Sequence, residues 1–193
     1  MAVISARRLF SSDPMPCKSH PYQPRAHPPD KPAFIMAVNG EVVSFGMLEA
    51  RANQGAHVLR AQGINQGEHI AILMENRREM LEVCFAADRA GIYYTTISTH
   101  LNKDEIGYIL ADCNARLLVA SDHFLGILPD LASISEGLCE VMVVGDSNDS
   151  YVDWHKEAAL HKTTPIPDEA QGLDMLYSSG TTGRPKAIKW PLE

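Results

Sequence analysis

Disulfide and metal chemistry have little to draw on here. Four cysteines occur, at positions 17, 84, 113 and 139, and none forms a CxxC pair. That excludes a disulfide framework and leaves free thiols expected in a reducing compartment, with Cys84 and Cys113 inside apolar helical patterns. The eight histidines show neither HExxH nor Cys/His metal spacing, so no metal site is expected. No apolar run approaches the ~18 residues that cross a bilayer, so no transmembrane segment is expected. Basic residues are outnumbered, 17 Lys and Arg against 24 Asp and Glu, for a formal net charge of -7. A general nucleic-acid surface is therefore not expected either. There is no GxGxxG after the first strand, which argues against a dinucleotide oxidoreductase. Internal repeats and low-complexity tracts are absent.

What remains is ordinary globular composition, 45% hydrophobic and 21% charged over 193 residues, enough to bury a core. Residues 1–29 are proline-rich and aperiodic, and predict an extended or disordered leader. The leader opens with Arg7, Arg8 and several serines and has no acid before Asp13, a composition found in organelle transit peptides. A loose terminus on a cytoplasmic protein is the reading preferred to it. Residues 30–193 predict a single unit. Residues 34–38 and 41–45 flank Asn39-Gly40, a hairpin turn signal. A helix follows with Ser44 as N-cap, a buried stripe of Leu48, Ala52, Gly55 and Leu59, and Gly63 ending it.

Short apolar runs at 69–74, 92–97, 117–120 and 141–144 alternate with helical patterns. Asn76 with Glu79, and Asn102 with Glu105, carry capping-box spacing. Further helices are expected near 123–131 and 152–160. The alternation predicts an α/β fold: a parallel, doubly wound sheet with flanking helices behind a small N-terminal antiparallel hairpin. Residues 174–177 form the strand that enters the most informative stretch.

That stretch is Tyr177-Ser178-Ser179-Gly180-Thr181-Thr182-Gly183-Arg184-Pro185-Lys186. Gly180 and Gly183 let the backbone bend closely around a ligand. Successive N–H groups in such a bend form an anion cradle, to which the hydroxyls add donors and Lys186 a mobile charge. The spacing is not Walker A, which needs four residues between its glycines and Lys-Ser/Thr directly after the second. Pro185 argues against a helix running on from Gly183, and residues 187–190 read as a strand. Strand–loop–strand is thus expected, with a polyphosphate as ligand. A plain Ser/Gly/Thr surface turn would not require the lysine and hydroxyls in this order.

The string resembles the phosphate-binding loop of the acyl-adenylate-forming superfamily, which includes acyl-CoA synthetases, luciferases and the adenylation domains of peptide synthetases. The usual form is Tyr-(Ser/Thr)-Ser-Gly-(Ser/Thr)-Thr-Gly-x-Pro-Lys-Gly. The match runs from Tyr177 through Lys186 and departs at Ala187, where the family has Gly. Residues 32–189 are also similar to the opening of the acyl-CoA synthetase branch. Asn76-Arg77-Arg78-Glu79 and the stretch from Tyr93 to Leu101 resemble its fatty-acyl members.

The resemblance implies a ligase that joins a carboxylate, a fatty acid in that branch, to AMP with release of pyrophosphate, then passes the acyl group to coenzyme A. ATP, Mg²⁺ and coenzyme A are the cofactors it implies. Ser178, Ser179, Gly180, Thr181, Thr182 and Gly183 would wrap the β- and γ-phosphates, with Lys186 adding charge. These are positioning and electrostatic roles, and no catalytic or metal-ligating residue is expected within the chain. Tyr177 is expected to pack under the loop, and His100 and Tyr94 to be structural. The family places its Mg²⁺-binding glutamate, ribose-binding aspartate and C-terminal lysine downstream of such a loop. The chain therefore reads as an incomplete AMP-binding domain, an N-terminal portion inactive alone. The alternative is a non-catalytic nucleotide-binding or interaction module derived from such a ligase.

Overall fold

The computed structural model describes residues 27–135, 137–178 and 185–192. Residues 1–26, most of the expected leader, lie outside the described residues. The described chain opens with an antiparallel pair, β1 (Pro32–Ile35) and β2 (Val42–Ser44). Its connection is longer than the two-residue turn expected at Asn39-Gly40. Gly40 takes a φ of 73° but Asn39 stays out of the left-handed region, whereas that turn type needs both residues there. The Asn39 side chain instead accepts the Glu41 N–H at 3.0 Å.

Helix α1 (Phe45–Ala61) starts where expected, with Ser44 Oγ accepting the Met47 N–H. Its stripe of Leu48, Ala52, Gly55 and Leu59 is buried. A Cβ at Gly55 would lie 2.7 Å from that of Ala86, so this glycine lets α1 lie close against the next helix.

The core is a six-stranded parallel sheet. In chain order its elements are β3 (His69–Leu73), α2 (Arg78–Arg89), β4 (Tyr93–Thr96), α3 (Lys103–Asp112), β5 (Leu117–Ser121), α4 (Leu128–Ile134), β6 (Glu140–Val144), β7 (Val152–Asp153), α5 (Trp154–Ala159) and β8 (Leu173–Asp174). The strand order is β7-β6-β5-β3-β4-β8. Successive residues of each inner strand serve opposite faces, as the pleat requires. Ile70, Ile72, Leu117, Val119, Met142 and Val144 join one cluster with residues of α1, α2 and α5. Ala71, Leu73, Leu118, Ala120, Val141 and Val143 join the other with α3 and α4. This two-sided burial explains the unbroken apolar runs, and each fully buried Ile or Leu contributes roughly 1.5–3 kcal/mol.

Asn102 and Glu105 make the expected capping box at α3, with both reciprocal bonds present. Asn76 and Glu79 do not. The N-cap of α2 is Arg77, without a side-chain capping bond. The Glu79 carboxylate is engaged instead by Arg77 at 3.0 Å and by His155 at 3.1 Å. The helix expected near 123–131 divides into a 3-10 turn, Asp122–Phe124, followed by α4. The two-residue strand β7 precedes α5 where only a helix was predicted.

After α5 the chain returns along α1, held by Asn53 Nδ2 to Thr163 O (2.7 Å), Gln54 Nε2 to His161 O (3.1 Å) and the Arg60–Asp168 pair (2.9 Å). The return delivers β8 to the free side of β4. The strand predicted over 174–177 then divides at Met175. Leu173–Asp174 completes the parallel sheet, while β9 (Leu176–Ser178) leaves it to pair antiparallel with β10 (Lys186–Ile188). Among the described residues no helix is long and apolar enough to cross a membrane.

Candidate functional site

Strands β9 and β10 form the stem of the Gly/Ser/Thr stretch. Ser178 lies opposite Lys186, Tyr177 opposite Ala187, and Leu176 opposite Ile188. Ser178 Oγ donates to Lys186 O at 3.4 Å. Of the seven residues predicted to hold a polyphosphate, the structure therefore brings Ser178 and Lys186 together at the mouth of the stem. Ser179, Gly180, Thr181, Thr182 and Gly183 lie outside the described residues. Lys186 is exposed. Pro185 has no N–H to offer, and β10 begins directly after it, as strand–loop–strand requires.

The stem rests on the α3/α4 face of the sheet. Met175 N donates to Tyr94 O at 2.8 Å, tying the entry to β4. Tyr177 packs into the cluster on that face, and its hydroxyl donates to Asp112 Oδ2 at 2.7 Å, where α3 ends. Burial and the Asp112 carboxylate both push the Tyr177 phenol well above its usual range. It is a fixed prop under the stem and holds its proton. One face of the hairpin is left apolar and exposed, at Leu176, Ile188 and Trp190.

Two features were not anticipated from sequence. The first is a charged cluster at the carboxyl ends of β3, β5 and β6, where the strand order reverses, a place where ligands bind in open α/β sheets. Arg77 reaches both Glu79 and Asp122 (3.5 Å), and Asp122 accepts the Asp146 N–H at 3.1 Å. Burial raises the Glu79 carboxyl, but His155, its own N–H and Arg77 outweigh this and hold it well below the usual carboxylate range. Beside the cluster an open cleft of about 530 Å³ is lined by Met36, Glu41, Glu75, Arg77 and Arg78 among others. The sequence signal was the pair of arginines and the glutamate directly after a buried strand.

The second is a cleft of about 310 Å³ at the β8 edge, lined by residues including Cys84, Asp88, Tyr94 and Asp174. Burial, then the two aspartates, push the Cys84 thiol up to about 12. Tyr94 is half-buried and its phenol is raised by the same causes together with Cys84. His100 is exposed, its backbone N–H near Ser98 Oγ. Among the described residues no group of three or more His, Cys, Asp or Glu side chains could hold a metal ion.

Comparison with known proteins places this geometry. A family model described as AMP-binding enzyme matches residues 22–191. The 3-oxocholest-4-en-26-oate–CoA ligase of Rhodococcus rhodochrous is 30% identical over 167 residues, covering 80% of this chain and 29% of that protein. The 3-hydroxybenzoate–CoA ligase of Aromatoleum sp. (strain CIB) is 28% identical over 165 residues, covering 82% and 31%. Among solved structures, the anthranilate CoA ligase AuaEII in complex with anthranoyl-AMP superposes with a TM-score of 0.79 at 26% identity, covering 90% of this chain and 34% of that one. The chain thus spans about three-tenths of the length of these two ligases. Matched by the family model over most of its length, the chain belongs to the AMP-binding enzyme family.

Proposed function

We propose that residues 30–193 are an incomplete AMP-binding domain and supply the triphosphate-holding part of an ATP-dependent carboxylate–CoA ligase. The observation that carries this is the β9–β10 stem. It pairs Ser178 with Lys186 at the two ends of the Gly/Ser/Thr stretch, with Ser178 Oγ donating to Lys186 O. In this reading Ser178, Ser179, Gly180, Thr181, Thr182 and Gly183 wrap the β- and γ-phosphates of ATP. Lys186 offsets the charge that grows on pyrophosphate as a carboxylate oxygen attacks the α-phosphorus and the bond to the leaving phosphate breaks. Mg²⁺ would share that charge, and the acyl group would then pass to the thiol of coenzyme A.

The carboxylate is a fatty acid in the reading favoured by residues 76–79 and 93–101. CoA ligases among the relatives support the acid–thiol chemistry. Free thiols at Cys84, Cys113 and Cys139 support a reducing, cytoplasmic setting. The 193-residue polypeptide is inactive on its own in this reading, a view supported by the three-tenths of its relatives' length that it spans.

Titration calorimetry with ATP tests the phosphate role. Lys186→Ala is expected to weaken binding about tenfold or more, since a charge-assisted contact is worth roughly 1.5–3 kcal/mol. Equal affinity in the wild type and Lys186→Ala would remove the assignment. ATP–pyrophosphate exchange across a panel of fatty acids tests the inactivity, which any measurable exchange by the polypeptide alone would refute.

A further inference from the structure

The loop stem is held from one strand at two points. Tyr93 and Thr95 are two residues apart on β4 and share its α3/α4 face, so they stand about 7 Å apart along the strand. Thr95 Oγ1 donates to Met175 O at 2.8 Å, on the limb that enters the loop. The Tyr93 hydroxyl donates to Trp190 O at 2.7 Å and accepts the Leu192 N–H at 3.1 Å, on the limb that leaves it. Lys189 Nζ sits 4.2 Å from the centroid of the Tyr93 ring, adding a cation–π contact on the outgoing limb. Both hydroxyls bind backbone atoms, so the grip depends on where the chain runs and not on which side chains it carries there.

A third residue orients Thr95. The single proton of the Thr95 hydroxyl goes to Met175 O, so Thr95 Oγ1 accepts from His69 Nε2, 2.8 Å away. The His69 proton is thereby fixed on Nε2. His69 is 4% exposed and its Nδ1 has no hydrogen-bond partner among the described residues. Burial, then the charge of Lys189, lower its pKa to about 4, so the ring stays neutral at neutral pH. A bare buried acceptor is destabilising. Apolar residues would fill positions 69 and 95 without that cost, as Ala71 and Leu73 do on the same face. The polar relay is therefore poorly explained by packing and well explained by a need to hold Met175 O in place.

We propose that Tyr93 and Thr95, the latter oriented by His69, are positioning residues that clamp the incoming and outgoing limbs of the loop and so set its span. The ligand consequence rests on the reading of the loop as a holder of the ATP phosphates. With both limbs fixed to β4, Ser178 and Lys186 are held opposite each other whether or not a nucleotide is present, so less ordering remains to be done on binding.

The test uses the whole polypeptide with Tyr93→Phe, Thr95→Val and Thr95→Ser, and reads amide hydrogen exchange and ATP affinity together. In the wild type the Leu192 amide is protected. In Tyr93→Phe its exchange is expected to accelerate about tenfold or more, the scale of losing one hydrogen bond. ATP affinity is expected to fall about three- to tenfold in Tyr93→Phe and Thr95→Val, with recovery in Thr95→Ser, which keeps the hydroxyl. In a Lys186→Ala background the Tyr93→Phe penalty is expected to shrink, because the residue being positioned is gone. The clamp is overturned if Leu192 exchanges alike in the wild type and Tyr93→Phe. It is also overturned if both variants lose stability but bind ATP as the wild type does. Should ATP binding prove insensitive to Lys186→Ala, the phosphate reading alone is lost. Hydrogen exchange at Leu192 then still decides the clamp.

Discussion

Acidification should weaken this fold through one imidazole. His69 is enclosed by Tyr93, whose ring stacks with it at 6.0 Å between centroids, by Thr95, which accepts from Nε2, and by Lys189 at the outer side of Tyr93. A proton added at Nδ1 would find no acceptor there and would face the Lys189 charge. The pKa accordingly falls from 6.5 in the open chain to about 4 in the fold. Because the unfolded chain takes up this proton first, the stability is intact above neutrality and is lost as the pH falls from 6.5 towards 4. Integrated over that window the loss is about 2 kcal/mol by about pH 5 and about 3 kcal/mol by about pH 4. With a urea slope of about 2 kcal/mol per molar, the midpoint should drop by about 1 M between about pH 7 and pH 5. Glu79, held low, gives up its contribution as the pH falls through the usual carboxylate range and below it, and Glu82, raised by burial, acts with the opposite sign. Both remain in a His69→Gln variant, so the difference between the two proteins isolates the imidazole. Urea unfolding followed by circular dichroism in the wild type and His69→Gln is the measurement. Parallel midpoint-against-pH curves for the two would refute the assignment of a neutral, destabilisable His69.

Two further expectations concern the scaffold. Asn102→Ala removes half of the capping box at α3 and should cost about 1 kcal/mol, read as a fall of about 2–4 °C in the thermal midpoint. Gly172→Ala places a Cβ against the backbone oxygens of Ile92 and Ala87, where no flexible side chain can yield. It should destabilise by about 1–3 kcal/mol in urea and loosen the attachment of β8 beside β4.

What could be read from sequence, and what could not, divides by the range of the interactions involved. The unbroken apolar runs of β3, β5 and β6 were legible because burial on both faces leaves no polar alternation. The caps at Ser44 and Asn102 were legible because a side chain meets a backbone N–H three residues on. The same spacing misled at Asn76, where Glu79 finds a better partner in His155, 76 residues away. Strands β7 and β8 have two residues each, too few to carry a period, and their place is set by β6 and β4 alongside them. The break at Met175 follows from the same competition. Met175 N takes Tyr94 O as the parallel sheet ends, and one residue later the chain has turned to pair with β10.

The candidate site repeats this division in a form with consequences. The chemistry proposed for it lies in contiguous residues, 177–186, and is a reading of their order. Its placement depends on Tyr93 and Thr95, whose partners lie 97 and 80 residues downstream and are backbone atoms that leave no mark on side-chain pattern. A hairpin grafted with residues 177–186 onto another sheet would carry the donors and the lysine but not the span that β4 imposes on them. If the loop holds a triphosphate as proposed, the graft's affinity would fall by the cost of ordering a loose loop. On the proposed reading position is thus part of the binding site, supplied by a strand that grips the backbone of both limbs.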